Sequence, residues 1–183
     1  FNWWRKRFKR QFELVDILRL DHFRALAGYW RVDGNENTAI NGEWIKSPGK
    51  ELLNNLKKEL NTDFLPIIAE DLGVITSDVE ILRDNYKLPG MKILQFAFDG
   101  NEKNPYLPKN IKGNNWVVYT GTHDNMTSIS WWESLEDHMK NFLRNNYNFS
   151  EDPSWNLIEI GMKTKANLFI SPIQDILSLD DSS

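Results

Sequence analysis

Three apolar stretches of the chain end in side chains that can move protons or attack carbon. Each stretch finishes in acid and imidazole groups: Asp21 and His22 in "ILRLDH", Glu70 and Asp71 in "PIIAED", His123 and Asp124 in "VVYTGTHDN". An acid at a strand end is often a helix N-cap or a turn residue, so one such ending is weak evidence for a catalytic residue. Three such endings favour a catalytic site, because the carboxyl ends of parallel barrel strands and their loops carry the chemistry.

Alternation along residues 14–22 predicts where the charges of the first stretch point. In a strand, Arg19 and Asp21 share one face, whereas Leu18 and Leu20 share the other. The same rule places Ile68 and Glu70 together on one face of the second strand. Several carboxylates beside an arginine suit retaining glycoside chemistry, which needs a carboxylate nucleophile and a carboxylic acid close together. The positive charge of Arg19 is expected to stabilise the Asp21 carboxylate.

Short apolar runs and amphipathic stretches alternate along the chain and predict the elements that carry these residues. We expect strands in residues 14–22, 64–73, 91–98, 115–125 and 169–177, helices in 2–13, 49–60, 76–86, 128–135, 136–147 and 154–168, and a polar loop in 34–44. In the third helix, Thr76 and Ser77 are N-cap candidates, and Glu80 would complete a capping box with Ser77. Strands alternating with helices predict an α/β fold with a parallel sheet. We find no linker and expect a single domain or part of one.

Composition narrows the possible partners. The chain of 183 residues has a net charge of −4, which does not suggest nucleic-acid binding, and the basic run in residues 5–10 is expected to be a solvated helix face. No apolar run approaches the roughly 20 residues that cross a bilayer, so no membrane partner is expected. Cysteine is absent, which excludes disulfides and thiolate metal sites. The chain starts without Met and within a predicted helix, which suggests a piece of a longer protein.

Six segments in order resemble glycoside hydrolase family 77, the amylomaltase or disproportionating-enzyme family of the α-amylase clan. They are "LRLDHFRALAGYW", "TAINGEWIKSPGKEL", "IIAEDLG", "LPGMKILQFAF", "TGTHDN" and "SPIQDIL". The resemblance implies the C-terminal part of a TIM (β/α)8 barrel, roughly strands four to eight, with the N-terminal half missing. It also implies a 4-α-glucanotransferase that moves α-1,4-glucan segments between maltodextrins without a metal or other cofactor. Its location would be the cytoplasm, or the plastid in a plant.

The resemblance also assigns roles to individual residues. Asp21 would be the nucleophile, Glu70 the general acid and base, and Asp124 the carboxylate that stabilises the transition state. Substrate contacts are expected from a further group: Arg19, His22, His123, Tyr29 and Trp30. Asp71 is expected to be structural, and His138 an exposed bystander. The chain departs from the family pattern at Met126, where Asp is usual, and at Ala25, where Gly is common.

Three alternatives remain open from the sequence. The first is an α-1,4-glucan hydrolase of the same clan, because the three carboxylates do not distinguish water from a sugar acceptor. The second is a metal-dependent barrel hydrolase, although neighbouring His and Asp residues on a strand point to opposite sides and no His-x-His is present. The third is a non-catalytic carbohydrate-binding segment, suggested by eight Trp, ten Phe and five Tyr residues.

Overall fold

The computed structural model describes residues 1–182 and divides the chain into two compact units. The first unit is Phe1–Gly90, and the second runs from Met91 onward. Helices and strands alternate through both units, which confirms the predicted α/β class. Within the described residues, no helix combines the length and the apolar character needed to cross a membrane.

The first unit contains three α-helices and four strands in its described residues. In chain order they are α1 (Asn2–Phe12), β1 (Leu18–Leu20), β2 (Gly28–Val32), β3 (Gly42–Lys46), α2 (Gly49–Glu59), β4 (Ile67–Ala69) and α3 (Ser77–Asn85). A short 3-10 helix, Phe23–Leu26, follows β1. The strands form two separate pairs: β1 lies parallel to β4, and β2 lies antiparallel to β3.

Leucines at helical spacing explain why α2 covers the core of this unit. Leu52, Leu53 and Leu56 repeat on one face and are at most 5% exposed. They pack in one cluster with Phe8 of α1 and with Phe23, which is fully buried. Burial of each such side chain contributes about 1.5–3 kcal/mol, so this cluster is the main support for β1 and β4.

Strands β1 and β4 are in register, so they end at the same level. Leu18 pairs with Ile67 and Leu20 pairs with Ala69. The leucines of β1 pack against the core cluster, as the alternation predicted. Parallel strands in register place the residues that follow them side by side.

The second unit contains a sheet with the order β5-β6-β7 and four helices in its described residues. The elements are β5 (Gly90–Ile93, whose first residue closes the first unit), β6 (Trp116–Tyr119), α4 (Ser128–Ser134), α5 (Asp137–Tyr147), α6 (Pro153–Met162), β7 (Leu168–Ile170) and α7 (Ile173–Ile176). Two 3-10 helices, Leu94–Phe96 and Pro108–Asn110, lie between β5 and β6. Strand β6 lies parallel to β7, with Val117 opposite Leu168 and Tyr119 opposite Ile170.

Aromatic side chains fill much of the core of the second unit. The rings of Trp132 and Phe149 stack with centroids 5.4 Å apart and planes 4° apart. Gly161 of α6 lies against Phe169 of β7, where an added Cβ would be 2.1 Å from the ring. Only glycine allows this close approach of α6 to the last strand.

The structure corrects the predicted elements in several places. The predicted polar loop 34–44 is a loop only up to residue 41, because Gly42–Lys46 pairs with Gly28–Val32 in a β-hairpin. The hairpin was not predicted, because both faces of β2 and β3 are largely exposed and no alternation of apolar residues marks them. The predicted strand 14–22 is regular only over Leu18–Leu20, and the strands in 91–98 and 169–177 give way to short helices. Thr76, one of the two N-cap candidates, is the N-cap of α3 and makes no side-chain capping hydrogen bond, so the capping box predicted between Ser77 and Glu80 is wrong.

Candidate active site

The backbone continues the pairing of β1 and β4 beyond the ends of both strands. The N–H of Glu70 donates to the carbonyl of Leu20 at 3.0 Å, and the N–H of Phe23 donates to the carbonyl of Glu70 at 3.0 Å. Asp21 and Glu70 therefore follow their strands at the same level. The structure brings the first two predicted carboxylates together at one end of a parallel pair.

Arg19 and Asp21 share one face of β1, as the alternation predicted. Nη2 of Arg19 donates to Oδ1 of Asp21 at 2.5 Å. The Asp21 side chain is 75% exposed and the Arg19 side chain 30%. This charge-assisted hydrogen bond orients the carboxylate while leaving most of it open to a ligand.

Glu70 is held through both of its carboxyl oxygens. Oε2 accepts the backbone N–H of His22 at 2.6 Å, and Oε1 accepts the backbone N–H of Leu72 at 3.0 Å. His22 has φ 49° and ψ 49°, in the left-handed region that non-glycine residues rarely adopt. The turn after Asp21 is therefore strained, and through its backbone it fixes the position of the second carboxylate.

A buried ion pair supports the segment that carries Glu70. The next residue, Asp71, accepts a hydrogen bond from Nη1 of Arg83, and their side chains are only 3% and 9% exposed. Burial alone would lower the pKa of Arg83, but hydrogen bonds to Asp84 and Asp71 outweigh it and raise that pKa. The prediction that Asp71 is structural is thus consistent with its contacts.

The hairpin that follows this site carries the predicted aromatic residues. Nε1 of Trp30 donates to the carbonyl of Ala39 at 2.9 Å, and the indole lies against Gly42, where a Cβ would be 2.6 Å from the ring. Tyr29 and Trp30 remain 46% and 39% exposed. Trp30 is therefore held in one orientation by these contacts and still presents ring surface to solvent.

Trp44 is an aromatic residue at this site that the sequence reasoning missed. It pairs with Trp30 across the hairpin, with ring centroids 5.5 Å apart, and is 58% exposed. The guanidinium of Arg24 lies 4.6 Å from the Trp44 ring centre, and its Nη1 donates to the carbonyl of Val74. Arg24 thus connects the segment after Asp21, the hairpin and the loop after Glu70. The cross-strand position of Trp44 would have been evident only if the hairpin had been recognised.

His123 and Asp124 lie in the second unit, in the loop between β6 and α4. Their side chains are 72% and 73% exposed, and Nε2 of His123 is 3.4 Å from Oδ1 of Asp124. The turn is closed by Asn125, whose Oδ1 accepts the N–H and the hydroxyl of Thr122 at 2.9 and 2.8 Å. The third predicted carboxylate therefore also follows a strand of a parallel pair.

Two further sequence expectations can be compared with the structure. His138 in α5 is 72% exposed beside Glu136, which agrees with its role as a bystander. Across residues 1–182, no group of three or more His, Cys, Asp or Glu side chains is arranged to hold a metal ion. The metal-dependent alternative therefore gains no support from the geometry.

The fold and site define an α/β protein with carboxylates at the carboxyl ends of parallel strands, and comparison with known proteins identifies its family. A family model described as 4-alpha-glucanotransferase, glycoside hydrolase family 77, matches residues 1–183. The chain belongs to this family, as its sequence motifs predicted.

Individual relatives agree with the family match. A 4-alpha-glucanotransferase of Synechocystis is 51% identical, over 98% of this chain and 36% of the relative. A chloroplastic/amyloplastic 4-alpha-glucanotransferase of Solanum tuberosum is 44% identical, over 100% of this chain and 32% of the relative. The structure of amylomaltase from Streptococcus agalactiae in complex with acarbose superposes with a TM-score of 0.90 at 33% identity, covering 100% of this chain and 37% of that one. The chain thus spans about a third of the length of these relatives.

Proposed function

We propose that residues 1–183 carry the catalytic carboxylates of a 4-α-glucanotransferase that transfers α-1,4-glucan segments between maltodextrins. One observation carries the proposal: Asp21 and Glu70 follow paired parallel strands at the same level, one bound by Arg19 and the other by two backbone N–H groups. Two carboxyl groups placed side by side are what a retaining mechanism requires.

In the first step of the proposed reaction, Asp21 is the nucleophile. Its free carboxylate oxygen attacks the anomeric carbon of the donor glucan, and the bond from that carbon to the glycosidic oxygen breaks. A glycosyl ester forms on Asp21. Arg19 keeps the carboxylate oriented before the attack, because its hydrogen bond occupies Oδ1 and leaves Oδ2 for the substrate.

Glu70 is the proposed general acid and base. It gives its proton to the departing glycosidic oxygen in the first step. In the second step it takes a proton from the acceptor hydroxyl, which attacks the anomeric carbon and releases Asp21. Each carboxyl oxygen has two lone pairs, so Glu70 can accept the N–H groups of His22 and Leu72 and still carry the proton.

Asp124 and the remaining polar and aromatic residues are proposed to bind the sugar. Asp124 would stabilise the positive charge that develops on the donor ring, and His123 and His22 would donate hydrogen bonds to sugar hydroxyls. Tyr29 and Trp30 would stack on the apolar faces of pyranose rings. The exposed ring of Trp44 next to Trp30 extends this aromatic surface.

We also propose that the chain forms one segment of a (β/α)8 barrel, contributing strands four to eight. Outside the hairpin the described residues contain five strands, β1, β4, β5, β6 and β7, with parallel pairing in β1–β4 and β6–β7. The likeness to amylomaltase supports this assignment.

The proposed partners are an α-1,4-glucan donor and a glucose or maltooligosaccharide acceptor. The Streptococcus agalactiae amylomaltase was solved with acarbose, an observation that supports a maltooligosaccharide ligand here. We propose a cytoplasmic location, or a plastid location if the protein comes from a plant, in line with the name of the Solanum tuberosum relative.

Incubation with maltotriose tests the proposal, using the protein as its gene encodes it and Asp21→Asn as the control. Transfer predicts glucose together with a ladder of longer maltodextrins, and the control should form neither. An increase in reducing ends without longer products would instead identify a hydrolase. No reaction on any α-1,4-glucan would reject both activities and leave carbohydrate binding as the alternative.

A further inference from the structure

The side chain of Asp124 depends on its own loop for its position. Both Asp124 and His123 are more than 70% exposed, so core packing does not hold them. Their loop runs from Thr120, just after β6, to Ser128, the first residue of α4. The contacts that fix these two ends of the loop therefore determine the position of the Asp124 carboxylate.

Asp175 of α7 binds both ends of this loop with a single carboxyl group. Oδ2 accepts the hydroxyl of Thr120 at 2.5 Å, and Oδ1 accepts the backbone N–H of Ser128 at 2.7 Å. Asp175 is 1% exposed, while Thr120 and Ser128 are fully buried. The buried carboxylate of Asp175 therefore connects the start and the end of the Asp124 loop through hydrogen bonds.

Gln95 supports the same loop through different atoms. Its backbone N–H donates to the carbonyl of Thr120 at 3.2 Å, and its side-chain Nε2 donates to the carbonyl of Met126 at 2.9 Å. The amide lies so close to Gly121 that an added Cβ there would be 2.8 Å from Nε2. The main chain on both sides of His123 and Asp124 is thus fixed, although their side chains remain free to meet a ligand.

A buried carboxylate is costly to maintain and is not needed for packing alone. An uncompensated charge at 1% exposure loses most of its hydration, and well-packed neutral residues often replace buried charges without loss of stability. Asp175 offsets part of this cost with two hydrogen bonds and with its position at the N-terminal end of α4, where a negative charge is favoured. Both compensating contacts are made to the Asp124 loop.

We propose that Asp175 is a positioning residue for the reaction, acting through Asp124. The inference rests on the proposed transferase function. Loss of either hydrogen bond would loosen one end of the loop, which other contacts still tether, and would let Asp124 shift relative to the donor sugar. A displacement of about 1 Å at a reacting centre can cost 100-fold in rate, so kcat should fall much more than KM rises.

The first test compares three neutral substitutions in the protein as its gene encodes it. Asp175→Asn keeps the shape but leaves one acceptor oxygen for two donors, and kcat on maltotriose should fall about 30- to 100-fold. Thr120→Val removes only the hydroxyl and should lower kcat by a smaller factor, whereas Thr120→Ser should restore it. Full activity of both Asp175→Asn and Thr120→Val would overturn the inference.

Asp152 provides a control in the same unit that makes similar contacts away from the Asp124 loop and is less buried. Its carboxylate also accepts one backbone N–H and one hydroxyl, from Trp155 and Ser178, but it caps α6. Asp152→Asn should lower the melting temperature without lowering kcat. If Asp152→Asn and Asp175→Asn lower kcat equally, the effect is general destabilisation and the positioning role is wrong.

A double substitution distinguishes action through Asp124 from any other effect. Asp124→Asn should already remove most of the activity, and adding Asp175→Asn should lower it no further, because the loop would then carry no carboxylate to position. A further 30- to 100-fold loss in the double variant would show that Asp175 acts elsewhere.

Hydrogen exchange tests the positioning independently of activity. In Asp175→Asn, backbone amides of the loop should exchange faster than in the unsubstituted protein, whereas Asp152→Asn should leave them unchanged. Unchanged exchange in Asp175→Asn would overturn the inference even if the protein is an active transferase. If exchange is faster in Asp175→Asn but the protein does not act on α-glucans, the proposed function is refuted. The support that Asp175 gives to the loop is then still confirmed.

Discussion

The buried ion pair behind Glu70 allows a quantitative prediction. Asp71→Asn leaves the guanidinium of Arg83 buried, with its side chain 9% exposed, and removes the negative charge of a partner that is only 3% exposed. Breaking such a pair by neutralising one member costs about 3–5 kcal/mol. Arg83 keeps a second partner, because its Nε still donates to Asp84 at 2.8 Å, so we expect the lower end, about 3 kcal/mol.

Urea unfolding of the protein as its gene encodes it, followed by tryptophan fluorescence, measures this loss as a free energy. Asp84→Asn is the matched control, since its side chain is 63% exposed and an exposed pair contributes about 0–1 kcal/mol. A loss below about 1 kcal/mol for Asp71→Asn, or equal losses for both variants, would refute the reasoning.

Four further predictions follow from the site and its surroundings. Asp21→Asn should abolish turnover with little effect on unfolding, because the side chain is 75% exposed; substantial residual activity would remove it from the nucleophile role. In Glu70→Gln the rate of the first, glycosylation step should fall least on glucosyl donors with good leaving groups, which need less protonation, and equal losses on all donors would contradict an acid role. Residues 1–183 alone should aggregate and show no useful turnover. Among the described residues β1 pairs only with β4, so its other edge is open to pairing with another chain. A soluble and active 183-residue chain would overturn this prediction. The backbone N–H of Asn101 lowers the pKa of Asp99, so an NMR titration of Asp99 should give a midpoint below that of the unfolded chain, and an unshifted midpoint would contradict this. The stability that this hydrogen bond contributes is complete above the unfolded-state pKa and is lost as the pH falls through the folded-state pKa.

The first part of the candidate site was predictable because local rules decide it. Alternation along β1 gives Arg19 and Asp21 the same face, and their hydrogen bond confirms this. Apolar spacing in α2 predicted the helix that covers the strands, and the helix is observed over Gly49–Glu59. The position of Glu70 at the end of a strand also followed from its sequence, since a short buried run precedes it.

The contacts that hold the site were not predictable, because they depend on partners distant in sequence. Asp175 lies 55 residues from Thr120, and no local pattern indicates that its carboxylate is buried beneath the Asp124 loop. Trp44 was missed because the hairpin strands are exposed on both faces and so lack alternation. The left-handed backbone of His22, which aims its N–H at Glu70, is likewise decided by the fold, since histidine tolerates this conformation but adopts it in few of its positions.

Identification of the residue that becomes glycosylated tests the central claim most directly. A maltosyl fluoride donor can still react with Glu70→Gln, because fluoride leaves without protonation, while transfer to an acceptor is slow without the base. Rapid acid quenching, proteolysis and mass spectrometry should then find a maltosyl ester on the peptide that contains Asp21. A sugar ester on another carboxylate, or donor consumption with inverted products and no ester on Asp21, would contradict the account.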